Sequence, residues 1–526
     1  MSLVKFNKVG STGIILDLPA HELPPEAWSA GNNVRFSGNR VMKISGHQQV
    51  FNPPSIVPYA LFPVPVSTTL YWMYLGLTDA YVVQGSTHTI VTRAASAYST
   101  GAVIPWTGGI GGTVAVFNNG IDVPQMWLPA GAGNRLLDLT AWPAGYTCRV
   151  LRPYGNYWVA YDITKAGIRY PQLTLWSHQA DPGTVPDSWD VTDDTKDAGE
   201  SPKLADTPGF IMDSLPLGNT NVIYKEDATF RMDLIGGTFI FDMSKDFEQV
   251  GILTHRCVAA MPKGDSHFLA ANDDLIVHNL NQVRSVGENR IKAQLYNEID
   301  LDNLTQAHVV PNYPKGEMWF FYPTLNAPAF CDKVAIWNYV HDTLTLRDAP
   351  GIIHSNFGRV DVTLDETYDA STAAYDSATY IYDERAYQGL KRNILMADAV
   401  NTKLLLADST NQFNGTNMTA YVERTDLAVA GTDREGNPKV DFERMKLFKR
   451  VWVRATGSPF SVYVGTQQIK GGSVEWAAAQ TFTPGTDSFV DCFMSGRSLA
   501  LKFESTSDVD WTLEGYDVEV ELLGGY

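Results

Sequence analysis

The chain has 526 residues, 44% of them apolar, with 43 glycines, 28 prolines and a formal charge of −18. That is enough apolar material for a large core divided among about two to four domains, which excludes a disordered chain. The acidic balance excludes a protein that grips nucleic acid through its phosphates, because such binding relies on Lys and Arg releasing counterions. An acidic wall is still compatible with a polyanion sliding past it.

Cys148, Cys257, Cys331 and Cys492 are far apart, without CxxC spacing or a nearby His, and are expected to be free core thiols made in a reducing cytoplasm. The N-terminus carries no continuous apolar run of a signal peptide, and no stretch approaches the roughly 18–20 apolar residues that span a bilayer. A soluble product without membrane insertion is expected.

Residues 1–54 read as an extended, proline-punctuated arm with first strands, running from Gly13-Ile14-Ile15-Leu16-Asp17-Leu18 through Leu23-Pro24-Pro25 and Trp28 to Asn32-Asn33-Val34-Arg35. From residue 55 to 415 short strands and turns alternate. Tyr71–Gly76, Ala80–Val83 and His88–Thr92 form a meander, and Thr113–Phe117 leads into Asn118-Asn119-Gly120, a tight type I′ hairpin signal. Later pairs are Asn221–Tyr224 with Thr229–Met232, His267–Ala270 with Asp274–His278, and Glu317–Tyr322 with Lys333–Tyr339.

Units of about 45 to 65 residues recur, near the period of propeller blades. The fold class expected is therefore all-β: a β-propeller of about six blades, with stacked β-sandwiches as the competing arrangement. One short helix is expected near Asn297–Leu304, where Asp and Glu suit a helix N-terminal turn. Residues 416–526 read as a C-terminal β-sandwich, jelly-roll or immunoglobulin-like, from Ala420–Arg424, Lys446–Arg454, Phe460–Val464, Ser498–Phe503 and Gly515–Glu521.

No catalytic, cofactor or metal signature stands out. The acidic stretch from Asp181 to Glu200 lacks calcium-loop spacing and reads as an exposed insertion. Gly108–Gly112 precedes a strand, not the helix a phosphate loop needs, and no nucleophile elbow or zinc-protease motif occurs. The basic cluster Arg444, Lys446, Lys449, Arg450 and Arg454 alternates with Leu447, Val451 and Val453, which places most of these charges on the solvent side of a strand. The alternative is a contact with an acidic neighbouring subunit.

The order of parts, with the Asn32-Asn33-Val34-Arg35 arm, the Trp176-Ser177 and Ser188-Trp189-Asp190 turns and an acidic last strand, resembles the tail nozzle or hub (phage stabilisation) proteins of short-tailed bacteriophages. The resemblance implies a structural virion protein, not an enzyme and without cofactor, assembled in the host bacterial cytoplasm. It implies a homo-hexameric ring below the head–tail adaptor proteins, carrying fibres or spikes and extending the channel through which genomic DNA passes unbound. In such a ring Leu16, Leu18, Leu23 and Trp28 are expected to clasp this or an adjacent subunit, with Arg444, Lys446, Lys449 and Arg450 as further interface candidates. A propeller followed by a sandwich is also similar to sialidases and phage depolymerases, which makes a glycan-binding or sugar-cleaving tail protein the alternative. Their repeated Ser-x-Asp-x-Gly-x-Thr-Trp box is matched only loosely, between Ser177 and Trp189.

Overall fold

The computed structural model describes residues 2–66, 69–85, 87–94, 97–99, 106–128, 134–181, 183–237, 239–325, 329–360, 391–432 and 438–524. Its larger body is a β-propeller. Five separate four-stranded antiparallel sheets follow one another: blade one at Ala60–Ile90, blade two at Thr107–Asp138, blade three at Tyr146–Ser201, blade four at Ile211–Glu248 and blade five at Val258–Ser285. A longer sheet supplies two more. Within it, the 18-residue strand Thr343–Val360 pairs through its first half with Cys331–Asn338 and through its second half with Lys391–Asp398. It is thus the outer strand of blade six and the inner strand of blade seven.

Among the described residues the ring therefore has seven blades, where the strand period suggested about six. Blade seven escapes a linear count because its first strand is continuous with blade six and its last, His47–Gln49, comes from the other end of the chain. His47, Gln48 and Gln49 pair with Ala407, Leu406 and Leu405, closing the ring by backbone hydrogen bonds. Gly46 permits this entry, since a Cβ there would lie 1.9 Å from the Gln412 carbonyl oxygen.

Sheets buried on both faces explain the continuous apolar runs: all of Glu317–Tyr322 and all of Val114–Asn118 are buried. Neighbouring blades fill the gaps between them. Phe62 of blade one meets Phe117 of blade two at 4.9 Å between ring centres, and Tyr71 meets Trp127 edge-on at 5.5 Å. The three strand pairings expected within blades four, five and six all form.

Two local expectations are corrected. Asn118-Asn119-Gly120 is not a tight hairpin, because Phe117 already pairs with Gln125 and Asn119 Oδ1 accepts the amides of Ile121 and Asp122, folding a longer loop. The helix runs from Lys292 to Glu298 and ends where one was expected to begin. Asp300 caps the following turn by accepting the Asp302 amide, while Asp17 of the arm accepts the Ala293 and Gln294 amides at 3.0 and 3.1 Å at the helix start.

The smaller body is a two-layer sandwich made from both ends of the chain. One layer orders Val34–Ser37, Arg40–Lys43, Trp511–Leu522, Lys446–Gly457 and Phe489–Gly496, with Ser2–Phe6 beside Trp511–Leu522. The other orders Ala30–Asn32, Ala420–Leu427, Ser498–Ser505 and Phe460–Gln467, flanked by Glu475–Trp476 and Gln480–Phe482. The stretch read as an extended arm over residues 1–54 is thus divided: residues 2–43 complete the sandwich and 47–49 complete the propeller. Val4, Phe6, Trp28, Val34, Phe36 and Val41 share one core with Val422, Phe503 and Val518, which is why this stretch has its apolar spacing without a core of its own.

The two bodies meet at the Asn33–Arg35 segment. Asn33 takes a left-handed backbone (φ 56) and donates from Nδ2 to Asp348 Oδ2 at 2.7 Å, while its Oδ1 accepts the Asp348 amide at 2.9 Å. Arg35, fully enclosed, donates from Nε and Nη2 to Glu317 of blade six at 2.5 and 3.0 Å, and from Nη2 to Asp408 of blade seven at 2.8 Å. Burial works against the Arg35 charge, but the Asp408 and Glu317 carboxylates outweigh it and raise its pKa. Replacing Arg35 with Ala leaves two carboxylates enclosed without their cation and should cost about 3–5 kcal/mol. Urea unfolding of Arg35→Ala against wild type reads this directly, and a loss under about 1 kcal/mol would show that water enters the joint.

Candidate functional site

Leu23 and Trp28 are buried, and Leu16 and Leu18 are half-buried, all against this same chain. Leu16 packs on both the sandwich core and the core of blades four to six, and its amide donates to the Arg290 carbonyl at 2.6 Å. Trp28 Nε1 donates to the Val9 carbonyl at 2.6 Å, and Arg424 of the sandwich donates to the carbonyls of Ala20 and Leu23 at 2.6 and 3.0 Å. The four expected clasp residues therefore lie in an internal seam.

The basic cluster is also largely spoken for. Lys446 is buried, contrary to the alternation argument, because a β-bulge between Phe448 and Arg450 reverses which residues face inward. Its ammonium donates to the carbonyls of Asp441, Arg444 and Arg497, and burial lowers its pKa to about 8. Lys449 pairs with Glu521 at 2.5 Å, Arg450 with Asp491 at 3.0 Å, Arg454 with Asp517 at 2.7 Å and Arg444 with Asp441 at 3.7 Å. Lys449, Arg450 and Arg454 fasten neighbouring strands of one sheet, while Arg444 pairs within its own turn.

The acidic stretch lies between the third and fourth strands of blade three, with Pro182 outside the described residues. Asp190 and Asp193 accept the amides of Thr192 and Thr195 at 2.9 and 3.0 Å, and Trp189 is buried edge-on against Trp142. These carboxylates shape turns. Among the described residues, no group of three or more His, Cys, Asp or Glu side chains could hold a metal ion, and Cys148, Cys257, Cys331 and Cys492 are free.

A polar site unanticipated from sequence lies on the propeller axis. The innermost strands of all seven blades enclose a cavity of ≈ 330 Å³. Arg152 of blade three grips Asp213 of blade four with two 2.7 Å bonds and donates to the Gly108 carbonyl of blade two at 2.7 Å. Asp213 also accepts the amides of Ser214 and Arg256 at 2.8 Å, so both its oxygens are engaged. The Arg256 guanidinium has no such partner. Its three nitrogens are inaccessible to solvent and make no hydrogen bond among the described residues, and burial, aided by Arg152, lowers its pKa to about 10.

Two histidines complete this wall. His308 stacks on Phe321 at 4.7 Å and on His354 at 5.5 Å. His308 Nδ1 lies 2.8 Å from the Gln306 carbonyl and so carries the proton, leaving Nε2 an unpartnered acceptor. His354 Nδ1 accepts the Leu61 amide at 3.0 Å, so its proton is on Nε2. The Ser355 hydroxyl on the same wall is buried without a partner among the described residues. The sequence signal for this site was an isolated polar residue on the first strand of successive blades or, for Arg256, in the turn just before it, too sparse to notice without the ring.

No family model matches the chain, and no curated protein matches it. Among solved structures, it is similar to PorZ, a bacterial surface component of the type-IX secretion system of Porphyromonas gingivalis, at 9% identity and a TM-score of 0.34. That match covers 83% of this chain and 46% of PorZ, so the chain spans under half of PorZ's length. The WD40 β-propeller domain of Doa1 is also similar at 9% identity and a TM-score of 0.34, covering 70% of this chain and 97% of that one. The propeller assignment follows from the sheet order described above.

The buried histidines set an acid limit. His278 Nε2 donates to Tyr224 Oη at 2.7 Å, Tyr224 donates to His267 Nδ1 at 2.6 Å and His267 Nε2 donates to the Pro216 carbonyl at 3.1 Å, a chain complete only with neutral rings. Burial lowers His267 to about 4 and His278 and His308 to about 3, against 6.5 in the unfolded chain. The unfolded state therefore binds more protons between pH 6.5 and about 4, and the stability these rings contribute, complete above 6.5, declines as pH falls. Each contributes a slope of up to about 1.4 kcal/mol per pH unit. Urea midpoints should drop steeply between pH 6 and 4.5 and less in His267→Gln; a flat profile would contradict neutral rings.

Proposed function

We propose that this chain is a structural subunit of the tail nozzle or hub ring of a short-tailed bacteriophage, extending the channel for DNA ejection below the head–tail adaptor and anchoring fibres or spikes. The reading is supported by the order of parts seen in the sequence. The observation that carries it furthest is the welding of propeller and sandwich into one unit by Arg35 and by strands from both chain ends, which suits a load-bearing wall. The −18 charge suits passage of DNA without adhesion.

Since the arm is consumed internally, the contact between copies falls to another surface. The turn between the third and fourth strands of blade four exposes Leu234 (53%), Ile235 (58%) and Phe239 (75%), and clustered apolar exposure of this kind marks a contact site. In a cyclic ring this surface meets a different one on the next copy.

The expected outcome is a hexamer mass by light scattering and six-fold rings with a central hole in negative-stain images. Ile235→Asp with Phe239→Asp should yield folded monomers with an unchanged unfolding midpoint, because both side chains already face solvent. A wild-type chain that stays monomeric at high concentration would overturn the ring; intact rings in the double variant would move the contact elsewhere. Removing residues 1–30 should give an aggregating chain, not a dissociated one.

A further inference from the structure

We propose that the outer face of the sandwich layer built on Ala420–Leu427, Ser498–Ser505 and Phe460–Gln467 binds a neutral carbohydrate chain. The inference does not depend on any ring of subunits. Strand register puts three aromatic residues on this face in one diagonal row: Tyr421 opposite Glu504, Tyr463 opposite Lys502, and Trp476 opposite Gly465, which itself pairs with Ala500. At ordinary strand rise and spacing, about 12 Å separates Tyr421 from Tyr463 and about 8 Å separates Tyr463 from Trp476. Alternation sets their direction. Val422, Val462 and Phe503 turn into the core, while Tyr421, Tyr463 and Lys502 stay partly open and Trp476 is 38% exposed. Gly465 makes room for the last ring, since a Cβ there would lie 2.9 Å from the indole.

Hydrogen-bonding groups stand between the rings. Lys502 Nζ lies 4.9 Å from the Tyr421 ring centre and 5.3 Å from that of Tyr463, and pairs with Glu504. The Glu423 side chain and the Tyr421 hydroxyl make no hydrogen bond or ion pair among the described residues, yet neither is closed to solvent. A ligand can complete both. A sugar ring presents C–H groups on its faces and hydroxyls around its edge, so its faces suit the negative faces of aromatic rings, while its hydroxyls donate to Glu423 and accept from Lys502 and Tyr421. A protein partner fits poorly, because the centre of a protein interface is depleted of charge and this face holds two carboxylates and an ammonium. That excess of carboxylate, on a chain of charge −18, repels an acidic polysaccharide.

Native electrophoresis of the full chain through gels cast with dextran, galactomannan or laminarin should show retardation by at least one of these neutral polymers, and none by alginate, an acidic one. Trp476→Ala should abolish the retardation while leaving the urea midpoint and the mass by light scattering unchanged, because the indole is already part exposed. Glu423→Gln keeps the size and removes the charged acceptor; it should weaken retardation several-fold and decides the matter if Trp476→Ala does not fold. Failure of all three neutral gels to retard wild type, alginate retarding it as strongly, or retardation unchanged in the folded variants would each overturn the assignment. A fall in the mass of Trp476→Ala, without retardation of wild type, would overturn it in favour of a contact between copies.

Discussion

Arg35 occupies a position that no two of the three parts around it can satisfy alone. Its strand belongs to the sandwich, Glu317 to blade six and Asp408 to blade seven, and all three charges lie out of water. Each carries a desolvation penalty of several kcal/mol unless the others are present in good geometry. A misplaced sandwich therefore strands a guanidinium, and an unclosed ring strands a carboxylate. Trp319 Nε1 adds a 2.9 Å bond to Glu317, and Arg347 lies over the Trp319 ring at 4.7 Å, so indole and guanidinium groups surround the anions on several sides. The cluster specifies one arrangement of the two bodies more than it adds net stability.

Open strand edges impose the other constraint. A seven-bladed ring with only three strands in its last blade exposes a row of amides and carbonyls, and a sandwich ending at Trp511–Leu522 does the same. Both edges are covered from the N-terminal 49 residues. Gly13, at φ 84 and with room for no Cβ beside the Leu344 carbonyl oxygen 2.8 Å away, lets the chain pass closely between the bodies. The closing contacts join residues about as far apart in sequence as the chain allows, such as Val4 with Val518. Folding should be slow for that reason, with blades forming before either body is sealed.

What could be read from the residues follows the same division. Strands such as Glu317–Tyr322 were legible because burial on both faces leaves a continuous apolar run, and their nearest partners because antiparallel neighbours are close in sequence. Blade seven was not, since half of it is borrowed. Leu23 and Trp28 were recognisable as docking residues, but nothing local distinguishes their own sandwich from a neighbour's. Lys446 was misplaced by one bulge, which inverts the in–out parity of every residue counted across it.

The axis shows why distributed polar sites resist reading altogether. Arg152, Asp213, Arg256, His308 and His354 come from five blades, and each alone resembles an ordinary polar interruption in a strand. Radial symmetry converts that sparse pattern into a wall, because only the innermost strand of each blade reaches the axis. Asp213 then becomes decisive: with both oxygens engaged by Arg152, Ser214 and the Arg256 amide, it orders three adjacent strands but has no geometry left for the Arg256 side chain. Tyr224 closes a hydrogen-bond chain between His267 and His278, whereas the Arg256 guanidinium, like that of Arg347 over Trp319, is enclosed without a hydrogen-bonding partner among the described residues.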